Sequence, residues 1–121
     1  MSVSELGIKI ESGYVLVEDP PDFVVVWSEQ PDRLQAISDV CSEAGVRKVL
    51  MLGGNTHVQL AINEVLYLGR EIGKHNLTVA VVNRHDAPDE YLSLVEDVAI
   101  NRGGSIRFFQ NEQDAKDWLD I

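Results

Sequence analysis

The chain has 121 residues, 45% of them apolar and 25% charged, which predicts one soluble globular domain, 1–121, with a real core. Its 20 acidic against 10 basic residues give a formal charge of −10, so it repels nucleic acid and anionic membrane surfaces at long range. A single cysteine excludes an internal disulfide and fits a reducing, cytoplasmic setting.

The opening MSVSELGIKI has neither a charged lead nor a long apolar run, so no secretory signal is expected. The apolar strands are far shorter than the roughly 20 residues needed to cross a bilayer. GIKIES and YVLVEDP flank Gly13 and read as a hairpin; DFVVVWS, after Pro20 and Pro21, reads as a further strand beyond a bend. A first helix is predicted from about Pro31 to Ala44, with Leu34, Ile37, Cys41 and Ala44 on one stripe and Gly45 in the left-handed position past its end. Cys41 on that stripe is expected to be a buried, inert thiol.

Three strand-helix units follow. Lys48 to Leu52 is a strand, and a long helix is predicted from about Thr56 to His75 with a stripe of Val58, Ile62, Val65, Leu66, Gly69 and Ile72. Leu60, Tyr67 and Leu68 make this helix apolar on more than one side, which implies another helix of the chain, a subunit partner or an apolar ligand beside it. Thr78 to Asn83 is the next strand. Asp86 and Pro88 open a third helix, whose stripe is Leu92, Val95, Val98 and Ala99. The segment NRGG stops it, Ile106 to Phe109 forms the last strand, and Asn111 caps a short terminal helix. Alternation of this kind predicts a mostly parallel sheet; VLML and VAVV, apolar without alternation, are its inner strands.

The tail VAINRGGSIRFFQNEQDAKDWL carries a resemblance: Asn101-Arg102-Gly103, then Ile106 to Phe109, then Ala115 and Trp118-Leu119. It resembles the ending of the SpoIIAA-like, or STAS-like (STAS/SEC14-type), domains of bacteria, and the likeness extends loosely over the whole chain. That resemblance implies a mostly parallel sheet wound as a β-α superhelix, with antiparallel strands at the N-terminus. Its better-known members are non-enzymatic regulators that bind proteins as anti-sigma-factor antagonists. In the tail itself core packing explains Ala115, Trp118 and Leu119 without any chemistry.

Two strand ends are rich in polar groups. Gly53, Gly54, Asn55, Thr56 and His57 follow the first parallel unit; Asn83, Arg84, His85 and Asp86 follow the second. In phosphorylatable STAS proteins the first of these places holds an Asp-Ser-x-Gly motif whose Ser accepts phosphate. Thr56 is the hydroxyl at the corresponding helix start here, but the acidic residue before it and the glycine after it are missing. As plain structure, Asn55 or Thr56 caps a helix, stabilising it by roughly 1 kcal/mol. As function, Gly54, Asn55, Thr56, His57, Asn83, Arg84 and His85 form a candidate crevice for an anionic or lipid-like small ligand, since open α/β sheets bind ligands past the carboxyl ends of their strands.

No metal site or cofactor is expected, because H-E-x-x-H and cysteine clusters are missing, and His57 and His75 would stand roughly 27 Å apart at opposite ends of one helix. Neither a Walker run, nor a G-x-G-x-x-G fingerprint, nor a G-x-S-x-G elbow is present, so no catalytic group is singled out. The expectation is a non-enzymatic regulatory or protein-binding module, dimeric through apolar surface on the long helix.

Overall fold

The computed structural model describes residues 7–19, 24–25, 30–53, 57–58, 62–82 and 89–121. Within them the order is β1 (Ile8–Glu11), β2 (Tyr14–Glu18), β3 (Val24–Val25), α1 (Gln30–Ala44), β4 (Lys48–Leu52), β5 (His57–Val58), α2 (Ile62–Lys74), β6 (Thr78–Val82), α3 (Asp89–Asn101), β7 (Ser105–Phe109) and α4 (Glu112–Leu119). The main sheet has five strands in the order β1-β2-β4-β6-β7. Strand β1 pairs antiparallel with β2, as the Gly13 hairpin predicts, and the other neighbours are parallel. The protein is therefore an α/β structure with a mostly parallel sheet.

Strand order follows chain order without a reversal. Crossovers of one hand then lay α1, α2 and α3 on the same face, and among the described elements the helix on the other face is α4, after the last strand. The side chains divide accordingly. Val15, Val17, Val49, Val79, Val81 and Ile106 point to the three-helix face, where Leu34, Ile37, Val40 and Cys41 of α1, Ile72 of α2 and Ala99 of α3 meet them. Leu50 and Ala80 point the other way, against Ala115 and Leu119 of α4. The unalternating VLML and VAVV runs are thus covered on both sides at Val49, Leu50, Val79 and Ala80, and each fully buried Val, Leu or Ile contributes on the order of 1.5–3 kcal/mol.

Helix α1 ends at Gly45, whose φ of +71° is the left-handed value expected there. The terminal segment also forms as its residues dictate. The Asn111 side chain accepts a hydrogen bond from the Asp114 N–H at 2.8 Å and starts α4, while Trp118 lies 5.7 Å from the Phe109 ring.

Helix α2 departs from expectation. It begins at Ile62, six residues after Thr56, and His57 and Val58 are extended, pairing in parallel with Val24 and Val25 as a second, two-stranded sheet. His57 and His75 therefore do not share a helix. Asp86 and Pro88, expected to open α3, lie outside the described residues.

The neighbour that the apolar breadth of α2 called for is a helix of the same chain: α2 packs along α3. Just past the end of α3, Gly73 and Gly104 meet at close range. A Cβ at Gly73 would stand 3.1 Å from both the Cα and the carbonyl carbon of Arg102, and one at Gly104 would stand 2.8 Å from the Ile72 carbonyl oxygen. Glycine is required at both positions because backbone occupies the space of a side chain.

Candidate functional site

At the carboxyl end of the sheet the chain leaves β4 and β6 side by side. Leu52 and Val82 are in register, and the Gly53 N–H donates to the Val82 carbonyl at 2.8 Å. The two polar strand ends thus belong to neighbouring strands, the condition for a shared crevice. Gly54, Asn55, Thr56, Asn83, Arg84 and His85 lie outside the described residues. Only the backbone of His57 is described; it sits in β5 opposite Val24 rather than at a helix start, so the reading of this junction as an immediate helix N-terminus is replaced by a strand and a later helix.

What the described residues do place at this end is a buried ion pair. Asp19 follows β2, and its N–H donates to the Leu52 carbonyl at 2.8 Å, which carries the carboxylate to the rim of the central strands. Arg33, in the first turns of α1, donates from its guanidinium to Asp19 Oδ1; the two side chains are only 8% and 11% exposed, Asp19 the lower. Burial raises the Asp19 carboxyl above its ordinary value despite the attraction and hydrogen bond from Arg33. Burial likewise lowers Arg33, against the pull of Asp19. Desolvation therefore outweighs pairing at both groups, the usual balance for an ion pair inside a protein.

Sequence reasoning missed this pair, although one signal was present. A cation near a helix N-terminus opposes the macrodipole and calls for a compensating acid.

The sheet face that carries α4 is the other candidate surface. Tyr14, Leu16, Leu52, Val82, Phe109 and Trp118 pack against the small core of Leu50, Ala80, Ala115 and Leu119, and all six are only partly buried. The register puts Lys9, Glu11 and Glu18 on this face as well, with Lys9 Nζ 3.1 Å from Glu18 Oε1. Among the described residues one eight-residue helix covers this side, against three helices on the opposite side, and an apolar strip edged by charge stays only partly buried.

Cys41, 2% exposed, has its thiol pushed up to about 11 by burial, which makes it a core group and not a nucleophile. Among the described residues no group of three or more His, Cys, Asp or Glu is placed to hold a metal, and no helix is long and apolar enough to cross a membrane.

These features define an α/β domain with one well-covered and one thinly covered sheet face. Comparison with protein-family models, with curated proteins and with solved structures finds no match.

Proposed function

We propose that the chain is a SpoIIAA-like, STAS-like domain of bacterial type, acting in the cytoplasm as a non-enzymatic regulatory module that binds a protein partner on the sheet face beside α4. The observation that carries this reading is the only partly buried apolar strip of Tyr14, Leu16, Leu52, Val82 and Trp118 over a thinly covered sheet. Such strips edged by charge are the form protein-binding surfaces take. The antiparallel hairpin followed by parallel strand-helix units is the order of elements that the tail's resemblance implies, and it supports the family reading. Self-association uses the outer surface of α2, where Tyr67 is 48% exposed.

The test places a photo-cross-linking residue at Glu11, on the apolar strip's side, and separately at Asp97 on exposed α3. One defined protein is captured from the host from Glu11 and not from Asp97, and Leu16→Asp abolishes the adduct. Equal capture from both positions, or capture indifferent to Leu16→Asp, would refute the reading.

A second reading, binding of an anionic or lipid-like small molecule at the carboxyl ends of the strands, is favoured by the adjacent exits of β4 and β6 beside the Asp19–Arg33 pair. Native mass spectrometry of protein from its own host separates the two: a co-purifying small molecule lost in Arg33→Met supports this second site.

A further inference from the structure

At the opposite end of the sheet, where β4 and β6 begin, a cleft of about 370 Å³ opens between the C-terminal ends of α1 and α2. Its walls include Ser38, Cys41, Ser42, Arg47, His75 and Asn76, and it lies within the roughly 300–1,000 Å³ of small-molecule sites. Three observations set it apart from ordinary surface relief.

The first is charge. In a chain with 20 acidic side chains, no carboxylate of the described residues lines this cleft. The second is Arg47, exposed at the rim and without an acidic partner among the described residues. The third is His75. Its side chain is 10% exposed, and among the described residues its ring makes no hydrogen bond; the nearest carboxylate oxygen, Glu71 Oε2, stands 3.8 Å from Nε2. A largely buried ring that makes no hydrogen bond among the described residues keeps hydrogen-bonding capacity that a ligand can use.

The helix ends that frame the cleft do not compete for that ligand. Val46 N–H closes onto the Cys41 carbonyl at 3.0 Å and Leu77 N–H onto the Ile72 carbonyl at 3.4 Å, with Gly45 and Asn76 in left-handed conformations. The chain thus satisfies these carbonyls itself and leaves the cleft to side-chain donors. Cys41 on the wall is a buried, protonated thiol, so the site is suited to holding a group and not to attacking it.

We propose that this cleft binds a small molecule through an oxyanion, carboxylate or phosphate, with Arg47 as countercharge and the His75 ring as a buried hydrogen-bonding partner. The hydroxyls of Ser38 and Ser42, one helical turn apart, and the Asn76 amide supply neutral donors. This site stands independently of the sheet-face reading, since it occupies the other end of the sheet.

The test is an NMR titration of the intact protein with inorganic phosphate and, separately, with succinate, each against sodium chloride at matched ionic strength. Saturable shifts centred on Ser42, Arg47, His75 and Asn76 are expected; a response to phosphate alone or to succinate alone names the oxyanion, and a response to both makes the site general. Arg47→Ala, a change at an exposed position, should weaken binding by roughly tenfold or more, as loss of a charge-assisted hydrogen bond does. His75→Phe, which keeps the ring volume without the nitrogens, should also weaken it. Shifts that do not saturate, that chloride reproduces, or that persist unchanged in Arg47→Ala overturn the proposal.

Discussion

Replacing Gly73 with alanine sets two effects of opposite sign against each other where the end of α2 meets the turn after α3. Alanine is the better helix former, and at a solvent-facing site the change would stabilise the protein by about 1 kcal/mol. At Gly73 the new methyl would point into Arg102, 3.1 Å from its Cα and from its carbonyl carbon, with Gly104 packed alongside. Those neighbours are backbone, so relief requires α2 and the turn after α3 to move apart. Overpacking of this kind costs about 1–3 kcal/mol, and with backbone as the obstacle the upper end applies. The expected net is a loss of about 2 kcal/mol. Urea unfolding followed by far-ultraviolet circular dichroism measures it, with Lys74→Ala on the exposed side of the same turn as control. A Gly73→Ala protein as stable as the parent, or more so, would mean that the two segments do not approach as described.

The other expectations concern buried titratable groups. The Cys41 thiol, moved from an ordinary 9.0 to about 11, keeps its proton in the folded protein while the unfolded chain ionises. Its stabilisation is therefore complete below about pH 9 and lost as pH rises to about 11, a total on the order of 3 kcal/mol. Cys41→Val should remove that part of the alkaline slope, measured as the difference in urea midpoint between the two proteins from pH 8 to 11; identical slopes would contradict a desolvated thiol. Arg33→Ala strands the Asp19 carboxylate in a buried place and should destabilise by about 3 kcal/mol at neutral pH. Because burial already raises Asp19, acidification protonates it early and the penalty should shrink toward pH 4, which paired urea titrations at pH 7 and pH 4 would detect.

The main sheet could be read from the sequence because its signals are local. Val49-Leu50 and Val79-Ala80 have no polar alternation since both faces are covered, Leu34, Ile37 and Cys41 repeat at helical spacing, and Gly45 and Asn111 close and open their helices with their own conformations and side chains. The error at His57 and Val58 came from a long-range pairing. Two residues, His57 and Val58, are too few to show a period, and their partners, Val24 and Val25, lie more than thirty positions earlier. The same holds for Asp19 and Arg33, whose meeting depends on α1 folding back over β2. The candidate crevice residues from Gly54 to Thr56 and from Asn83 to His85 lie outside the described residues, so what could be checked is that Gly53 and Val82 leave the sheet as neighbours.

Because strand order repeats chain order, the molecule can be assembled in the direction in which a ribosome makes it. The β1–β2 hairpin gives an edge for β4, β4 gives one for β6, and β6 one for β7, so each arriving segment docks on what is already folded and no earlier strand has to be parted to admit it. One flank stays unsealed until the end. Leu50 and Ala80 have their places from the moment β4 and β6 pair, yet Ala115 and Leu119, which cover them, are among the last described residues to be synthesised. A nascent chain paused before residue 112 would show a greasy sheet to its surroundings, and a chaperone that holds such intermediates would meet this one there.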